Sequence, residues 1–214
     1  MMKRKLFFAT IIFTALNVSG CISSVLPKPA DANHIYRLSD DLQASETAAV
    51  NRSEQAFTVR IDRPNAPKAL QGYDLIVVQE NAKLAIIGQA EWADSLPTMI
   101  QRAFLSEMNS RSDLIGILPT SGARSDYRAH ITVRHFEAKF DRGESAAPLI
   151  IVDYLVTLSD AGTRALIGTQ SFHTENRSAS NHVSDIVKAK SSSNRDTLEQ
   201  ISDWLVLKLS SQGA

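Results

Sequence analysis

The chain has 214 residues, with 23 Lys and Arg against 23 Asp and Glu, a single Cys, 9 Gly and 7 Pro. Balanced charge excludes the broad basic surface that tracks nucleic-acid phosphates, and a hydrophobic share of 43% excludes disorder throughout. One Cys excludes an internal disulfide and the zinc arrangements that need two or four thiolates.

Lys3, Arg4 and Lys5 open the chain, and residues 6–16 (LFFATIIFTAL) follow without a charge, which is the layout of a secretory signal. A run of eleven residues is too short to cross a bilayer as a helix, which takes about 20. Val18, Ser19 and Gly20 stand directly before Cys21. This tetrapeptide resembles the bacterial lipobox, although Val18 occupies a place where Leu is usual. The resemblance implies cleavage after residue 20, with Cys21 as the first mature residue carrying acyl chains such as palmitate. Each buried methylene contributes about 0.8 kcal/mol, so two or more chains anchor stably. Ile22, where Asp tends to mark inner-membrane retention, favours the periplasmic face of the outer membrane of a Gram-negative bacterium. Residues 21–33 contain Pro27 and Pro29 and no periodic apolar face, so they form the acylated Cys and a tether. About twelve such residues reach at most ~40 Å.

Residues 34–214 are expected to form one domain. Ile35 and Leu38 mark a short first strand, and Phe57, Val59 and Ile61 alternate in a second that Pro64 and Pro67 end. Residues 73–79 and 83–88 pair as a hairpin over Glu80, Asn81 and Ala82. Asp94 is placed to cap a helix with Pro97 in its first turn, where no helical donor is lost. Leu96, Ile100, Ala103, Phe104 and Met108 share one face of that helix and cover a sheet. Further strands are expected over 114–118, 127–140, 149–159 and 164–175, the last two joined by a turn at Asp160-Ala161-Gly162. In the long strand the apolar parity changes from Ala129, Ile131 and Val133 to Phe136 and Ala138, which predicts a bulge near Arg134 and His135. Residues 176–194, rich in Ser and Asn, read as a loop, with Val183, Ile186 and Val187 adding at most a short helix. A final helix over about 195–210, capped by Ser193 and Asp196, buries Leu198, Ile201, Trp204, Leu205 and Leu209. The fold class is α+β, a mostly antiparallel or mixed sheet with two long helices packed on it.

No nucleophile elbow, His-Glu-x-x-His, phosphate loop or dinucleotide fingerprint occurs. His130 and His135 lie five apart on one strand, on opposite faces unless the bulge intervenes, so no metal site is expected. Asp153 interrupts the apolar strand 149–158, on the face of Leu149, Ile151, Leu155 and Thr157. It reads either as a shifted general base or, more often, as the partner of Arg128 or Arg134. The apolar remainder of that face is covered either by the chain's own loops or by a partner or lipid. Trp92 and Trp204 each adjoin an apolar stripe and are expected in the core rather than at an interface.

Residues 63–108, above all Ala90-Glu91-Trp92-Ala93-Asp94-Ser95-Leu96-Pro97, are similar to the ABC-type transport auxiliary lipoproteins, the family of paraquat-inducible protein C. Tyr36-Arg37-Leu38 resembles the family's opening strand, and Ile201-Ser202-Asp203-Trp204-Leu205 its closing helix. The resemblance implies a non-catalytic component of an intermembrane phospholipid transport system, anchored to the outer membrane through Cys21. Its partner would be an MCE-domain protein of the ABC transporter, with homo-oligomerisation a related expectation and no cofactor. Tyr36, Leu38, Trp92, Asp94, Leu96 and Trp204 carry over as a signature, structural or interfacial. Two other classes stay open: a scaffolding lipoprotein without a transport partner, and a lipid-anchored hydrolase whose best candidate is Asp153.

Overall fold

The computed structural model describes residues 33–38 and 52–212. The leader, the lipobox residues Val18, Ser19, Gly20 and Cys21, and the tether up to Ala32 lie outside the described residues.

Strand propensity and alternation place eight strands, and their pairing makes one mixed sheet. The strands are β1 (His34–Tyr36), β2 (Phe57–Ile61), β3 (Asp74–Val78) and β4 (Leu84–Trp92), then β5 (Leu114–Ile117), β6 (Tyr127–Lys139), β7 (Leu149–Asp160) and β8 (Leu166–Arg177). Two helices, α1 (Leu96–Ser110) and α2 (Val183–Ser210), complete the described fold. The longest ladders are antiparallel, β6 with β7 and β7 with β8. The opposite edge of β6 is shared. Its first residues pair in parallel with β2 and its last with β3, and only the bridge from Asn65 to Thr132 stands between them. The sheet therefore forks at β6. One arm continues from β2 to β5, the other from β3 to β4 and β1.

The predicted bulge is present. Val133 pairs with Tyr154 and His135 with Asp153, so Arg134 is the extra residue and the parity of β6 inverts there. That inversion keeps Ala129, Ile131 and Val133 and then Phe136 and Ala138 in the core, together with Ile150, Val152, Tyr154, Val156 and Leu158 of β7. The β3–β4 turn closes through the Gln79 amide donating to the Lys83 carbonyl, with Ala82 at φ 61°. At the β7–β8 turn, Asp160 Oδ1 accepts from the amides of Gly162 and Thr163 and from the Thr163 hydroxyl.

Helix α1 buries Leu96, Ile100, Ala103, Phe104 and Met108 as expected. Its N-cap is Ser95 rather than Asp94. Asp94, one residue ahead of the N-cap, spends its Oδ1 on the Ser95 amide at 2.7 Å and pairs its Oδ2 with Arg102 at 3.1 Å.

The larger correction concerns residues 176–194. Only 178–182 are irregular, and Ser193 and Asp196 are not caps, because the helix expected as short at Val183 is α2 itself, unbroken to Ser210 with His182 at its N-cap. Ser180 organises that start, its hydroxyl donating to Asp185 and accepting from the His182 amide. Lys190, Ser191, Ser193 and Asn194 are buried in mid-helix, and Lys190 and Asn194 bond inward through their side chains. Asn194 Oδ1 accepts the Tyr154 hydroxyl at 2.7 Å, and the Ser193 carbonyl accepts from Thr197 and Thr174. A helix dips a polar stripe into the core when the sheet beneath supplies partners. Both helices lie on one face of the sheet, α1 over β5 and β2 and α2 over β8, β7 and β6.

Candidate functional site

Five signature residues meet where β1 and β4 run into α1. Tyr36 pairs with Trp92 in the parallel ladder. The Trp92 amide donates to the Tyr73 carbonyl, the Ala93 amide to Tyr36 and the Leu96 amide to Gly72. Trp92 is 2% exposed and meets Phe136 edge to face, with centroids 6.3 Å apart. Leu38 and Leu96 are buried beside this junction and Asp94 fixes the strand-to-helix corner. Trp204 stands apart. It packs on Phe172 at 5.8 Å and over Gly168 of β8, under the C-terminal part of α2. Both tryptophans, with Leu38 and Leu96, are core residues, whereas Tyr36 and Asp94 are half-buried.

Sequence reasoning missed Lys190. Its side chain, 1% exposed, leaves α2 and ends in the fork between β3 and β6, where the ammonium donates to the carbonyls of Ile76 and Phe136, each at 3.1 Å. The rings of Phe136 and Trp92 lie 5.2 and 6.0 Å from Nζ. Those carbonyls belong to the stretch where β6 has no full ladder on this side, so the lysine supplies donors that a missing strand would have supplied. Burial pushes its pKa down to about 7, with the Glu137 carboxylate pushing back. No motif marks a buried lysine. The signal available was its place on the apolar stripe through Ile186, Val187, Leu198 and Ile201.

Asp153 lies on the sheet face turned away from the helices. Arg134 Nη1 is 3.8 Å from its Oδ1, so of the two arginines expected as partners the bulged one is near. Arg128 donates instead to Asp62. His173, opposite on β8, approaches Asp153 Oδ2 at 3.3 Å and Glu175 at 3.2 Å, while His135 meets Glu137 at 2.9 Å. These groups, with Lys139, Val78 and Ile151, line a shallow pocket of about 350 Å³. The bulge places His130 and His135 on the same face, yet among the described residues no three His, Cys, Asp or Glu side chains form a group able to hold a metal. Each histidine in the pocket faces a carboxylate, and no Ser, Cys or Thr stands among the lining residues as a nucleophile. The arrangement pairs each imidazole with a carboxylate. Leu149, Ile151 and Leu155 on this face are half-buried between their neighbours.

The profile describing an ABC-type transport auxiliary lipoprotein component matches residues 36–202. Among solved structures, the chain is similar to protein XCC0632 from Xanthomonas campestris, a DUF330 protein, with a TM-score of 0.69 at 16% identity, over 78% of this chain and 95% of that one. It is also similar to a crystal structure of an uncharacterized protein, with a TM-score of 0.63 at 15% identity, over 82% of this chain and 99% of that one. At such identities the likeness concerns the fold. No curated protein matches the chain.

Proposed function

Since the chain belongs to the family of ABC-type transport auxiliary lipoprotein components, we propose that it is the tethered, non-catalytic member of an intermembrane phospholipid transport system. Cys21 anchors it to the periplasmic face of the outer membrane, and the domain docks the distal end of an MCE-domain protein carried by the ABC transporter. The observation that carries this reading is the family match, which runs from Tyr36 at the end of β1 to Ser202 in α2 and so takes in strands β2 to β8 entire. The lipobox-like residues before Cys21 support the anchor, and the tether lets the body stay within ~40 Å of the membrane.

The test is a crosslinked pull-down of the full-length chain from envelope membranes, analysed by mass spectrometry beside Cys21→Ala. Recovery of an MCE-domain protein by the native chain, and its reduction for Cys21→Ala, is the expected result. A folded, anchored chain that recovers no such protein overturns the transport reading in favour of an envelope scaffold.

A further inference from the structure

β4 is a long strand with a short cover. β1 pairs with it only at Ala90, Glu91 and Trp92, so among the described residues the stretch 84–88 has a neighbour on one side alone, β3. Leu84 and Ile86 on that stretch are 50% and 58% exposed. Cross-strand partners share a face, and the pairs of Leu84 with Val78 and Ile86 with Ile76 put both on the side away from the helices, where Val78 lines the pocket. Ile35, opposite Glu91 on β1, adds a side chain 71% exposed.

The chain's own direction says what this edge faces. β1 runs parallel to β4, so its N-terminal end, where the described chain begins at Asn33, points toward the Leu84 end. Asn33 fixes the point of entry by donating its side-chain amide to Glu91 at 2.6 Å. Pro27 and Pro29 in the tether lack the N–H that a further ladder along β4 would need. Asn33 stands twelve residues after Cys21, so on the lipoprotein reading the anchored chain enters the domain at the end of β1 nearest this edge.

We propose that the free edge of β4, with Leu84, Ile86 and the adjacent Ile35, rests in the interfacial layer of the bilayer that holds the lipid anchor. This rests on the lipoprotein reading above. The contact is apolar. The carboxylates of Glu80, Asp74 and Glu91 flank the patch and Lys83 is the one cation in the adjoining turn, so anionic headgroups weaken the contact. An anchored protein needs little further affinity to populate such a contact, because the tether keeps the edge at a high effective concentration near the surface. The outcome is a fixed orientation of the domain on the membrane, with the helices turned away from it.

The experiment uses the acylated full-length chain, whose only Cys is consumed by the anchor. Ile86→Cys and, on the exposed side of α2, Gln200→Cys each add one thiol for an environment-sensitive dye. In phosphatidylcholine vesicles containing nitroxide-labelled lipid, the expected result is a blue shift and loss of emission at position 86 and neither at position 200. Adding phosphatidylglycerol is expected to diminish both effects, and Leu84→Ser in the labelled chain to diminish the quenching. A chain that floats with the vesicles but shows equal emission at the two positions overturns the proposal. A blue shift at position 86 that grows with protein density without nitroxide quenching also overturns it, by assigning the edge to a second copy. If mass spectrometry finds Cys21 unacylated, a histidine tag at position 21 on nickel-chelating phosphatidylcholine vesicles gives the same readout, so the edge and the anchor fail separately.

Discussion

Replacing Lys190 by Met removes an ammonium that the core holds with two carbonyls and two aromatic rings and with no ion-pair partner within salt-bridge distance among the described residues. In the fold this group titrates at about 7, against 10.5 for an ordinary lysine. Between those values the unfolded chain carries a proton that the folded chain lacks. Stability conferred by the wild-type residue therefore rises as pH rises through the window, and it is lowest below pH 7, where the buried group is charged. Each pH unit is worth about 1.4 kcal/mol, and the full window about 4–5 kcal/mol. Lys190→Met has no such group, although it leaves the Ile76 and Phe136 carbonyls without their donor, at a cost of about 1–3 kcal/mol each that does not vary with pH. The assay is urea unfolding of both proteins from about pH 6.5 to about 9.5, with the stability difference plotted against pH. Subtraction removes the other titrating groups, including the Tyr154 phenol, which burial pushes well above its usual range. The wild type should gain on Lys190→Met steadily with pH. A difference that stays flat would mean that the ammonium keeps its proton in the core, and it would refute the reasoning.

Gly116→Val is expected to destabilise the domain by about 1–3 kcal/mol through overpacking, read from the urea midpoint. A Cβ there would stand 3.2 Å from Leu105 Cδ1 and 3.3 Å from both Ile61 Cδ1 and Met108 Cβ, between β5 and α1; an unchanged midpoint would show that this layer gives way freely. Asp141 is held at about 2, below its ordinary 3.8, chiefly by the two-pronged hydrogen bonds from Arg177 at 2.9 and 2.8 Å. A depressed carboxyl contributes stability above its unfolded value and loses it as pH falls toward the folded one. Asp141→Asn should therefore flatten the acid limb of a circular-dichroism titration between those two values, and an acid limb identical to the wild type's would count against the pair.

Much of this fold is legible in residue patterns because one face of each element is apolar at the right period. The alternation of Ile150, Val152, Tyr154, Val156 and Leu158 defines β7, the three- and four-residue steps from Leu96 to Met108 define α1, and the parity change around Arg134 locates the bulge. The fork is another matter. Nothing in β2 or β3 says that both lie along the same edge of β6, because parallel neighbours are set by packing across long sequence separations. The first half of α2 was obscured by Lys190, Ser191, Ser193 and Asn194, whose composition suggests solvent. The partners of Asn194 and Lys190, the Tyr154 hydroxyl and two strand carbonyls, are 40 to 114 residues away. A buried polar residue is understood only together with the group that satisfies it. The signature residues Tyr36, Leu38, Trp92, Asp94 and Leu96 are grouped together by the resemblance, and the fold brings them to one corner.

Lys190 has a bearing on how this chain reaches its compartment. The carbonyls it joins belong to β3 and β6, but the lysine itself arrives on α2, after every strand in chain order. Until α2 has emerged, the fork has no bridge and the core faces of β6, β7 and β8 have no cover. On the leader reading proposed above, a chain threading through a channel that admits only unfolded polypeptide cannot lock into its final form while part of α2 is still missing. Placing the closing element last would then keep the domain competent for passage and defer its folding to the far side.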